Sequence, residues 1–480
     1  MFKKSVMAVM IVILMSLGLA AQDAATVISA ASKAMGADTL KTVQFSGSGA
    51  DFALGQNANP NLPWPRFINK TYTRTINFDV PASRVERIRM QGEIPLRGGG
   101  NQPLRGEVPQ NQIVIVNANT PWDQQLDIWM TPYGFLRAAK ANNATVRPQM
   151  VGDKKYNVVS FRGQNKAMVN GYINDQNLIE RVETLVDNPM LGDMPVEWNY
   201  FLYRDFGDLK FPTGIEQKQG GYPTLELTIT DVKPNAPADI RPAGGGGGGA
   251  PAAALPSEKL ADGVYLLKAA YASLAVDFKD YIVVIEAPMS EERGVAVIAE
   301  AKRLIPNKPI RYVVNTHTHF DHSSGLRPFA AEGATVITQE VNRPFLEKVF
   351  TLPHTLNPDT LSAAKKTARF ETMTDKKVLT DGNHVIELYR QQGTAHHDGI
   401  IFAYLPKEKI LMEGDGYNAN VPANSPTPNP VGPYTLSLVE NIRRLNLDAD
   451  RIVSIHMPPD DRKVTMQEVL KAVGQANSTN

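Results

Sequence analysis

The densest group of reactive side chains in the sequence lies at residues 317–322, which read HTHFDH. It lies two residues after residues 311–314, which predict a buried strand. In an extended segment, residues two apart point to the same side, so His317 and His319 can bind one cation. Asp321 and His322, beyond the bend, can reach a second. The spacing therefore predicts a metal site at the end of a strand, with a solvated His-rich turn as the alternative.

The sequence contains no cysteine, which excludes disulfides, thiolate catalysis and every Cys-ligated zinc or iron–sulfur site. Any metal must therefore bind through nitrogen and oxygen. All eight histidines lie between His317 and His456, whereas all four tryptophans lie at or before Trp198. This segregation places the predicted chemistry in the second half of the chain.

Residues 317–322 resemble the H-x-H-x-D-H signature of the metallo-β-lactamase superfamily, and the resemblance extends over about residues 258–475. It implies three further ligands, each following a strand: a His in a Gly-rich loop, an Asp after a Gly, and a His near the C-terminus. Candidates occur in that order in residues 393–399 (GTAHHDG), 413–415 (EGD) and 452–456 (IVSIH). They are His396, Asp415 and His456.

The resemblance implies two metal ions, the first bound by His317, His319 and His396, the second by Asp321, His322 and His456, with Asp415 bridging. His397 stands where the family usually has a small hydroxyl residue, so either His396 or His397 could be the ligand. The spacing from Gly393 favours His396. Asp415 could instead be a turn residue or the N-cap of a helix, and His456 could be a surface residue. His354 and His384 match nothing in the signature and are expected to be ordinary loop or surface residues.

A ligand set made of nitrogen and oxygen donors is typical of catalytic metal sites that leave room for water. Zinc is the default metal, two ions per chain, although ligand identity leaves iron open. Two cations roughly 3.5–4 Å apart lower the pKa of a shared water, and the bridging hydroxide attacks an electrophilic carbon or phosphorus. Asp321 is the expected proton acceptor.

The predicted reaction is hydrolysis of an ester, lactone, thioester or amide of a small substrate. A β-lactam is an alternative substrate, although Asp415 in the bridging position resembles thioesterase, lactonase or phosphodiesterase relatives more closely. His319 stands where the iron oxygen-reductase branch usually has Glu, which argues against that branch. A hypothesis from another class is a periplasmic ligand-binding protein with a vestigial hydrolase domain.

The second half of the chain alternates strands and helices, which predicts a layered α/β domain with its site at strand ends. The superfamily resemblance implies an αββα fold. The predicted helices are 291–304, 342–350, 436–445 and 466–473. The predicted strands are 264–267, 281–286, 311–314, 334–338, 385–389, 400–405, 410–412 and 452–455.

The first half reads as a helix over Ala24–Met35, closed by Gly36, followed by a mainly antiparallel β domain. Its predicted strands are 43–47, a long stretch over 70–90, 112–116, 157–161, 179–185, 200–206 and 224–232. Residues 203–213 resemble the last strands of half-barrels related to periplasmic lipoprotein carriers. That resemblance implies a concave sheet able to hold an apolar ligand, and a plain structural β domain is the alternative.

Residues 1–21 predict a signal peptide, because Lys3 and Lys4 precede a short apolar run that ends in small residues. Cleavage after Ala20 or Ala21 is expected, with an uncleaved anchor as the alternative. The protein is therefore expected to be periplasmic or secreted, without a stable membrane span after cleavage. Residues 241–257, with six consecutive glycines from Gly244 to Gly249, predict a linker between domains at 22–240 and 258–480.

Charge argues for a small-molecule substrate. Removal of Lys3 and Lys4 with the signal peptide leaves 48 basic residues against 49 acidic ones. A nucleic-acid partner would require a basic stripe or domain, and the sequence contains no sustained Lys/Arg block. The sequence gives no indication of oligomeric state.

Overall fold

A computed structural model describes residues 23–92, 97–99, 106–241, 255–419 and 432–474. The predicted signal peptide and most of the predicted linker lie outside the described residues. Within the described ranges, no helix is both long enough and apolar enough to span a membrane.

The first half forms one eleven-stranded antiparallel sheet in the order β4-β3-β2-β1-β11-β10-β9-β8-β7-β6-β5. Its strands are β1 (Thr42–Phe52), β2 (Arg66–Asn77), β3 (Ala82–Gln91), β4 (Val108–Ile115), β5 (Thr145–Val151), β6 (Lys154–Arg162), β7 (Met168–Ile173), β8 (Ile179–Asn188), β9 (Gly192–Phe206), β10 (Leu209–Gln219) and β11 (Tyr222–Pro234). Among the described residues, three α-helices accompany the sheet: α1 (Ala24–Met35), α2 (Trp122–Trp129) and α3 (Pro132–Ala141). The expectation of a mainly antiparallel β domain is confirmed.

Helix α1 has the predicted bounds and ends at Gly36, whose positive φ of 70° suits glycine. Its apolar face, including Val27, Ala31 and Met35, packs into the core that one face of the sheet forms. Helices α2 and α3 were not predicted. A local signal for α3 exists, because the Thr131 hydroxyl accepts a hydrogen bond from the Gly134 N–H and Pro132 is at the start of the helix.

The long predicted stretch 70–90 is two strands rather than one. The chain reverses between β2 and β3, where the side-chain oxygen of Asn77 accepts hydrogen bonds from the backbone N–H groups of Asp79 and Val80, both at 3.0 Å. Such an Asx turn replaces the backbone hydrogen bonds of a strand. Ile76 then pairs with Ser83 across the hairpin.

The second half contains two sheets. The first, in the order β12 to β18, comprises β12 (Ser257–Ala261), β13 (Val264–Leu267), β14 (Ser273–Asp277), β15 (Ile282–Ile285), β16 (Ile310–Val314), β17 (Thr335–Gln339) and β18 (Arg369–Met373). The second, in the order β19 to β24, comprises β19 (Lys376–Thr380), β20 (Val385–Arg390), β21 (Ile401–Leu405), β22 (Ile410–Glu413), β23 (Arg451–Ser454) and β24 (Val464–Thr465). Ser257, placed in the predicted linker, therefore opens a strand.

The helices of this half are α4 (Glu291–Leu304), α5 (Phe320–Ser323), α6 (Leu326–Glu332), α7 (Arg343–Val349), α8 (Thr360–Ala364), α9 (Pro433–Arg444) and α10 (Met466–Ala472). Strand β15 shows how the layers are built. Val283 and Ile285 face the core between the two sheets, whereas Ile282 and Val284 face the core beneath helix α4. A strand buried on both faces is therefore apolar throughout, as in layered α/β proteins.

The second sheet has its own helix layer, because Leu411 and Ile452 pack against Leu438 and Val469 of α9 and α10. The four layers are helix, sheet, sheet and helix, which confirms the expected αββα fold. In this arrangement β15, β16 and β17 run parallel, as do β22 and β23. Their carboxyl ends bring distant loops to the same edge of the domain.

Candidate metal centre

The HTHFDH segment leaves β16 and turns into the short helix α5. His317, His319 and His322 are fully buried. The Asn315 side-chain amide donates to the carbonyl oxygen of His317 at 2.7 Å, and the Ser323 hydroxyl donates to the same oxygen at 2.8 Å. These hydrogen bonds hold the bend so that Asp321 and His322 face the same space as His317.

The other three candidate residues arrive from the second sheet. His396 lies in the loop between β20 and β21, Asp415 follows β22, and His456 follows β23. The backbone of His456 also forms an isolated antiparallel bridge with Tyr271, in the loop between β13 and β14 of the first sheet. The cluster therefore lies where the loops of both sheets meet.

Asp415 is at the centre of the cluster. Its Oδ2 lies 3.2 Å from His317 Nε2, 3.0 Å from His322 Nε2 and 2.9 Å from His396 Nε2. Its Oδ1 lies 2.7 Å from His456 Nε2. One carboxylate thus contacts imidazoles from four separate positions, the geometry that a bridging ligand needs.

The seven predicted ligands divide into two groups, each with donor atoms within 4.8 Å of one another: His317, His319, His396 and Asp415 in one, Asp321, His322 and His456 in the other. This is the division that the superfamily resemblance implied. The structure brings all seven together, and their role as ligands stays a prediction.

The ring nitrogens that face away from the cluster have partners that fix the rings. His317 Nδ1 lies 3.1 Å from the Thr316 hydroxyl, and His319 Nε2 lies 2.9 Å from the Asn57 carbonyl oxygen. His322 Nδ1 faces Glu286 Oε1 at 3.5 Å, an ion-pair contact without a hydrogen bond. Such partners orient metal-binding histidines in proteins. His319 Nδ1, in contrast, is buried and has no hydrogen-bond partner among the described residues. A buried nitrogen lone pair that accepts no hydrogen bond is suited to bind a cation.

The charges of the cluster also suit a cation. Burial and the neighbouring His322 and His319 hold the pKa of His317 well below its usual value, and burial and His396 lower the pKa of His319 to about 3. Both rings are therefore neutral at neutral pH, the form that binds metals. Burial raises the pKa of Asp415, but His322, His396 and His456 outweigh it and hold that pKa well below its usual value. His317 and His319 are thus neutral imidazoles beside an ionised carboxylate. Burial lowers the pKa of His322, but Asp415 and Asp321 outweigh burial and hold that pKa well above its usual value, so a cation at this position would take the place of the proton on His322.

His397 does not join the cluster. Its Nε2 lies 2.9 Å from the Thr318 hydroxyl, and its Nδ1 accepts a hydrogen bond from the Gly399 N–H at 3.0 Å. Both ring nitrogens are therefore used in holding two loops together. Of the two alternatives that the sequence left open, His396 is the one whose ring faces Asp415.

Asp321 differs from the other six residues in its exposure. Its side chain is 23% exposed, whereas the others are exposed by 4% or less. Its Oδ1 accepts a hydrogen bond from Gln56 Nε2 at 2.8 Å, and its Oδ2 accepts one from the Tyr271 hydroxyl at 3.2 Å. Solvent therefore reaches the cluster at Asp321.

Sequence reasoning missed four residues around the cluster: Gln56, Asn57, Tyr271 and Glu286. Glu286 had a local signal, since it is a charged residue directly after the apolar strand β15.

The expectation that His354 and His384 are ordinary loop or surface residues is only half right. Both lie in loops but are buried, His354 with Nδ1 3.8 Å from Asp359 and His384 with Nδ1 3.4 Å from Glu408.

Comparison with known proteins confirms the superfamily resemblance for this part of the chain. Residues 270–456 match the family model described as the metallo-beta-lactamase superfamily. No curated protein matches the chain. The resemblance of the first half to lipoprotein carriers stays a prediction.

Solved structures with similarity to the chain include metallo-β-lactamases and a flavodiiron protein. The DIM-1 metallo-β-lactamase is 17% identical, with 46% of this chain and 96% of that chain covered and a TM-score of 0.35. A metallo-β-lactamase from Pontibacter korlensis is 18% identical, with 47% and 100% covered and a TM-score of 0.33. The flavodiiron protein from Giardia intestinalis is 16% identical, with 46% and 58% covered and a TM-score of 0.34.

Proposed function

Because residues 270–456 form a metallo-β-lactamase superfamily domain, we propose that the chain is a zinc-dependent hydrolase with two metal ions per chain. Its substrate is a small ester, lactone, thioester or amide. The predicted signal peptide supports export to the periplasm or the medium. The observation that carries the proposal is the convergence of six donor side chains, five of them buried and one partly exposed, around a seventh, Asp415.

The residues of each group would hold one ion, with Asp415 between them. When bound, the two ions would lower the pKa of a shared water and stabilise the negative charge that develops on the substrate oxygen. Glu286, Thr316 and the Asn57 carbonyl hold the ligand rings in place from the outside.

Asp321 is the residue that would accept the proton of the attacking water. It is the most exposed of the seven, and Gln56 and Tyr271 hold its two oxygens. Burial raises its pKa, but His322 outweighs burial, and the pKa is below its usual value. The carboxylate is therefore ionised at neutral pH and available as an acceptor.

The test combines metal analysis with an activity screen on the full-length protein. We expect about two zinc ions per chain, and chelator-sensitive hydrolysis of at least one member of a panel of p-nitrophenyl esters, lactones, thioesters and nitrocefin. Asp321→Asn should lower kcat by at least about 100-fold, the range that loss of a general base covers. Asp262→Asn is the matched control, since that carboxylate is fully exposed on a hairpin.

Two results would contradict the proposal. A metal content below about one ion per chain would favour a vestigial domain that only binds ligand. Hydrolysis that is unchanged by Asp321→Asn would remove the role assigned to that carboxylate. Iron in place of zinc in the purified protein would correct the identity of the metal.

A further inference from the structure

The connection between β1 and β2 of the first half, residues 53–65, reaches into the metal centre of the second half. The Gly55 carbonyl oxygen accepts a hydrogen bond from the Phe320 N–H at 3.2 Å, and the Ala58 carbonyl oxygen accepts one from the Asp398 N–H at 2.8 Å. These contacts are made to the loops that carry Asp321 and His396. We infer that the N-terminal domain completes the metal centre, with Gln56 as a positioning residue for Asp321.

The side chain of Gln56 directly contacts Asp321, one of the predicted metal ligands. Its side-chain amide donates to Asp321 Oδ1 at 2.8 Å, while the Tyr271 hydroxyl donates to Oδ2 from the opposite side. A carboxylate held by one donor on each oxygen has a defined orientation, which a partly exposed Asp side chain would otherwise lack. Tyr271 belongs to the hydrolase domain, so the second donor must come from the N-terminal domain.

The next residue, Asn57, contacts a second predicted metal ligand, His319, through its backbone. The Asn57 carbonyl oxygen lies 2.9 Å from His319 Nε2, so this ring nitrogen carries the proton and Nδ1 is left with its lone pair toward the cluster. The Asn57 side chain is buried and donates to the Asn59 carbonyl oxygen at 2.8 Å, which fixes the turn. The choice of ring nitrogen in His319 thus depends on the N-terminal domain.

Further contacts attach the N-terminal domain to the loops that carry the predicted metal ligands. Arg97 and Asn59 both donate to the Asp398 carboxylate, at 2.6 and 2.9 Å, two residues from His396. The Gly98 N–H donates to the Ala395 carbonyl oxygen at 2.8 Å. A Cβ at Gly55, where φ is +73°, would overlap the ring of Phe320, so the backbone packs closely at this point. The loops that carry Asp321 and His396 are therefore both held in place by contacts from the N-terminal domain.

This inference rests on the proposed metal centre, and it predicts that metal affinity depends on Gln56. The full-length protein is compared with Gln56→Met and Gln56→Glu, which keep the length of the side chain but remove the amide donor. Asn61→Ala is the control, because Asn61 is exposed in the same segment. Zinc affinity is measured by competition with a chelator, and the electronic spectrum is recorded after substitution with cobalt(II).

Both Gln56 variants should bind zinc about tenfold to 100-fold more weakly than wild type, as expected for loss of an outer partner of a ligand. Their cobalt spectra should change, and Gln56→Glu should show the larger loss since it places a second carboxylate beside Asp321. Asn61→Ala should match wild type. A packing role alone would leave the zinc affinity and the cobalt spectrum of Gln56→Met unchanged, which would overturn the inference.

The design separates this inference from the proposed function. Wild-type protein that binds no zinc would overturn both, whereas wild-type binding with unaltered Gln56 variants would overturn only the inference. If the variants fail to fold, hydrogen exchange of the wild-type protein replaces them. Zinc should slow exchange in residues 53–65, and exchange that zinc does not alter would overturn the inference.

Discussion

At the scale of residues, the centre is a compact set of groups that would repel or compete with one another without a cation. Ring nitrogens of His317 and His396 face each other at 3.2 Å, and those of His322 and His456 at 3.3 Å, all directed at Asp415. Burying four imidazoles and a carboxylate this close together costs all of them their hydration. A shared cation satisfies them together, which is the physical reason for reading the cluster as a metal centre.

The adjacent pair His396 and His397 allows a direct test at this scale. His396→Ala should lower the metal content of the purified protein, because it removes a donor 2.9 Å from Asp415. His397→Ala should retain metal but lower the free energy of unfolding by about 1–3 kcal/mol, because the Thr318 hydroxyl and the Gly399 N–H lose their buried partner. Metal analysis and urea denaturation measure the two effects. Metal loss in His397→Ala with full occupancy in His396→Ala would reverse the assignment.

At the scale of elements, the site depends on how closely α4 packs against the start of α6. Ser290 caps α4 by accepting a hydrogen bond from the Arg293 N–H at 3.2 Å. Gly294, one turn further on, lies against the Gly325 carbonyl, and a Cβ at Gly294 would overlap that oxygen. Gly325 lies three residues after His322, so the helix supports the segment that carries four of the predicted ligands.

Gly294→Ala should therefore destabilise the protein although the change raises helix propensity. In an exposed helix it would stabilise by roughly 1 kcal/mol, but here overpacking against Gly325 should cost about 1–3 kcal/mol. The change in unfolding temperature shows whether Gly294→Ala stabilises or destabilises the protein. Val295→Ala, exposed on the same helix, is the control and should change stability by no more than about 0.5 kcal/mol. A higher unfolding temperature for Gly294→Ala would show that the contact is not tight.

At the scale of the whole molecule, the two halves are joined at a second place away from the metal centre. Asp193, near the start of β9, accepts hydrogen bonds from the backbone N–H groups of Thr355 and Leu356 at 2.9 and 3.0 Å. The Asp193 N–H donates to the Pro353 carbonyl oxygen at 2.7 Å. Met190 lies in the same apolar core as Val297 and Phe329 of the second half of the chain. The halves therefore share contacts at both ends of the interface.

Asp193 makes this junction sensitive to acid. Burial raises its pKa, but the hydrogen bonds from Leu356 and Thr355 outweigh burial and hold the pKa below its usual value. Because the folded pKa is below the unfolded one, near about 3.9, this stabilisation is complete above about pH 4 and is lost as the pH falls further. Asp193→Asn should unfold at a lower temperature at pH 7, by about 1 kcal/mol in free energy.

The unfolding temperature of wild type should also fall more steeply below pH 4 than that of Asp193→Asn. Calorimetry between pH 3 and 7 measures both effects. Asp175→Asn, in an exposed turn of the same sheet, is the control. Parallel pH profiles for wild type and Asp193→Asn would contradict the assigned role of this carboxylate.

The local sequence pattern was sufficient to predict much of the fold and of the candidate site. The HTHFDH segment, the absence of cysteine and the alternation of apolar strands and amphipathic helices predicted the layered second half, and the superfamily resemblance supplied the residues that the structure brings together. Helix α4 has the predicted bounds, because its cap and periodicity are local. Helices α2 and α3 were missed because they are short, and their packing against the sheet outweighs weak local signals.

Only the tertiary structure decided which groups surround the ligands. Gln56 and Asp321 are 265 residues apart in sequence, and Asn57 and His319 are 262 apart, so no periodicity or motif could pair them. The preference for His396 over His397 as the predicted ligand likewise required the position of Thr318, whose hydroxyl contacts His397 Nε2. Chemistry that depends on residue type and spacing is readable along the chain, whereas orientation depends on contacts that exist only once the two halves have folded against each other.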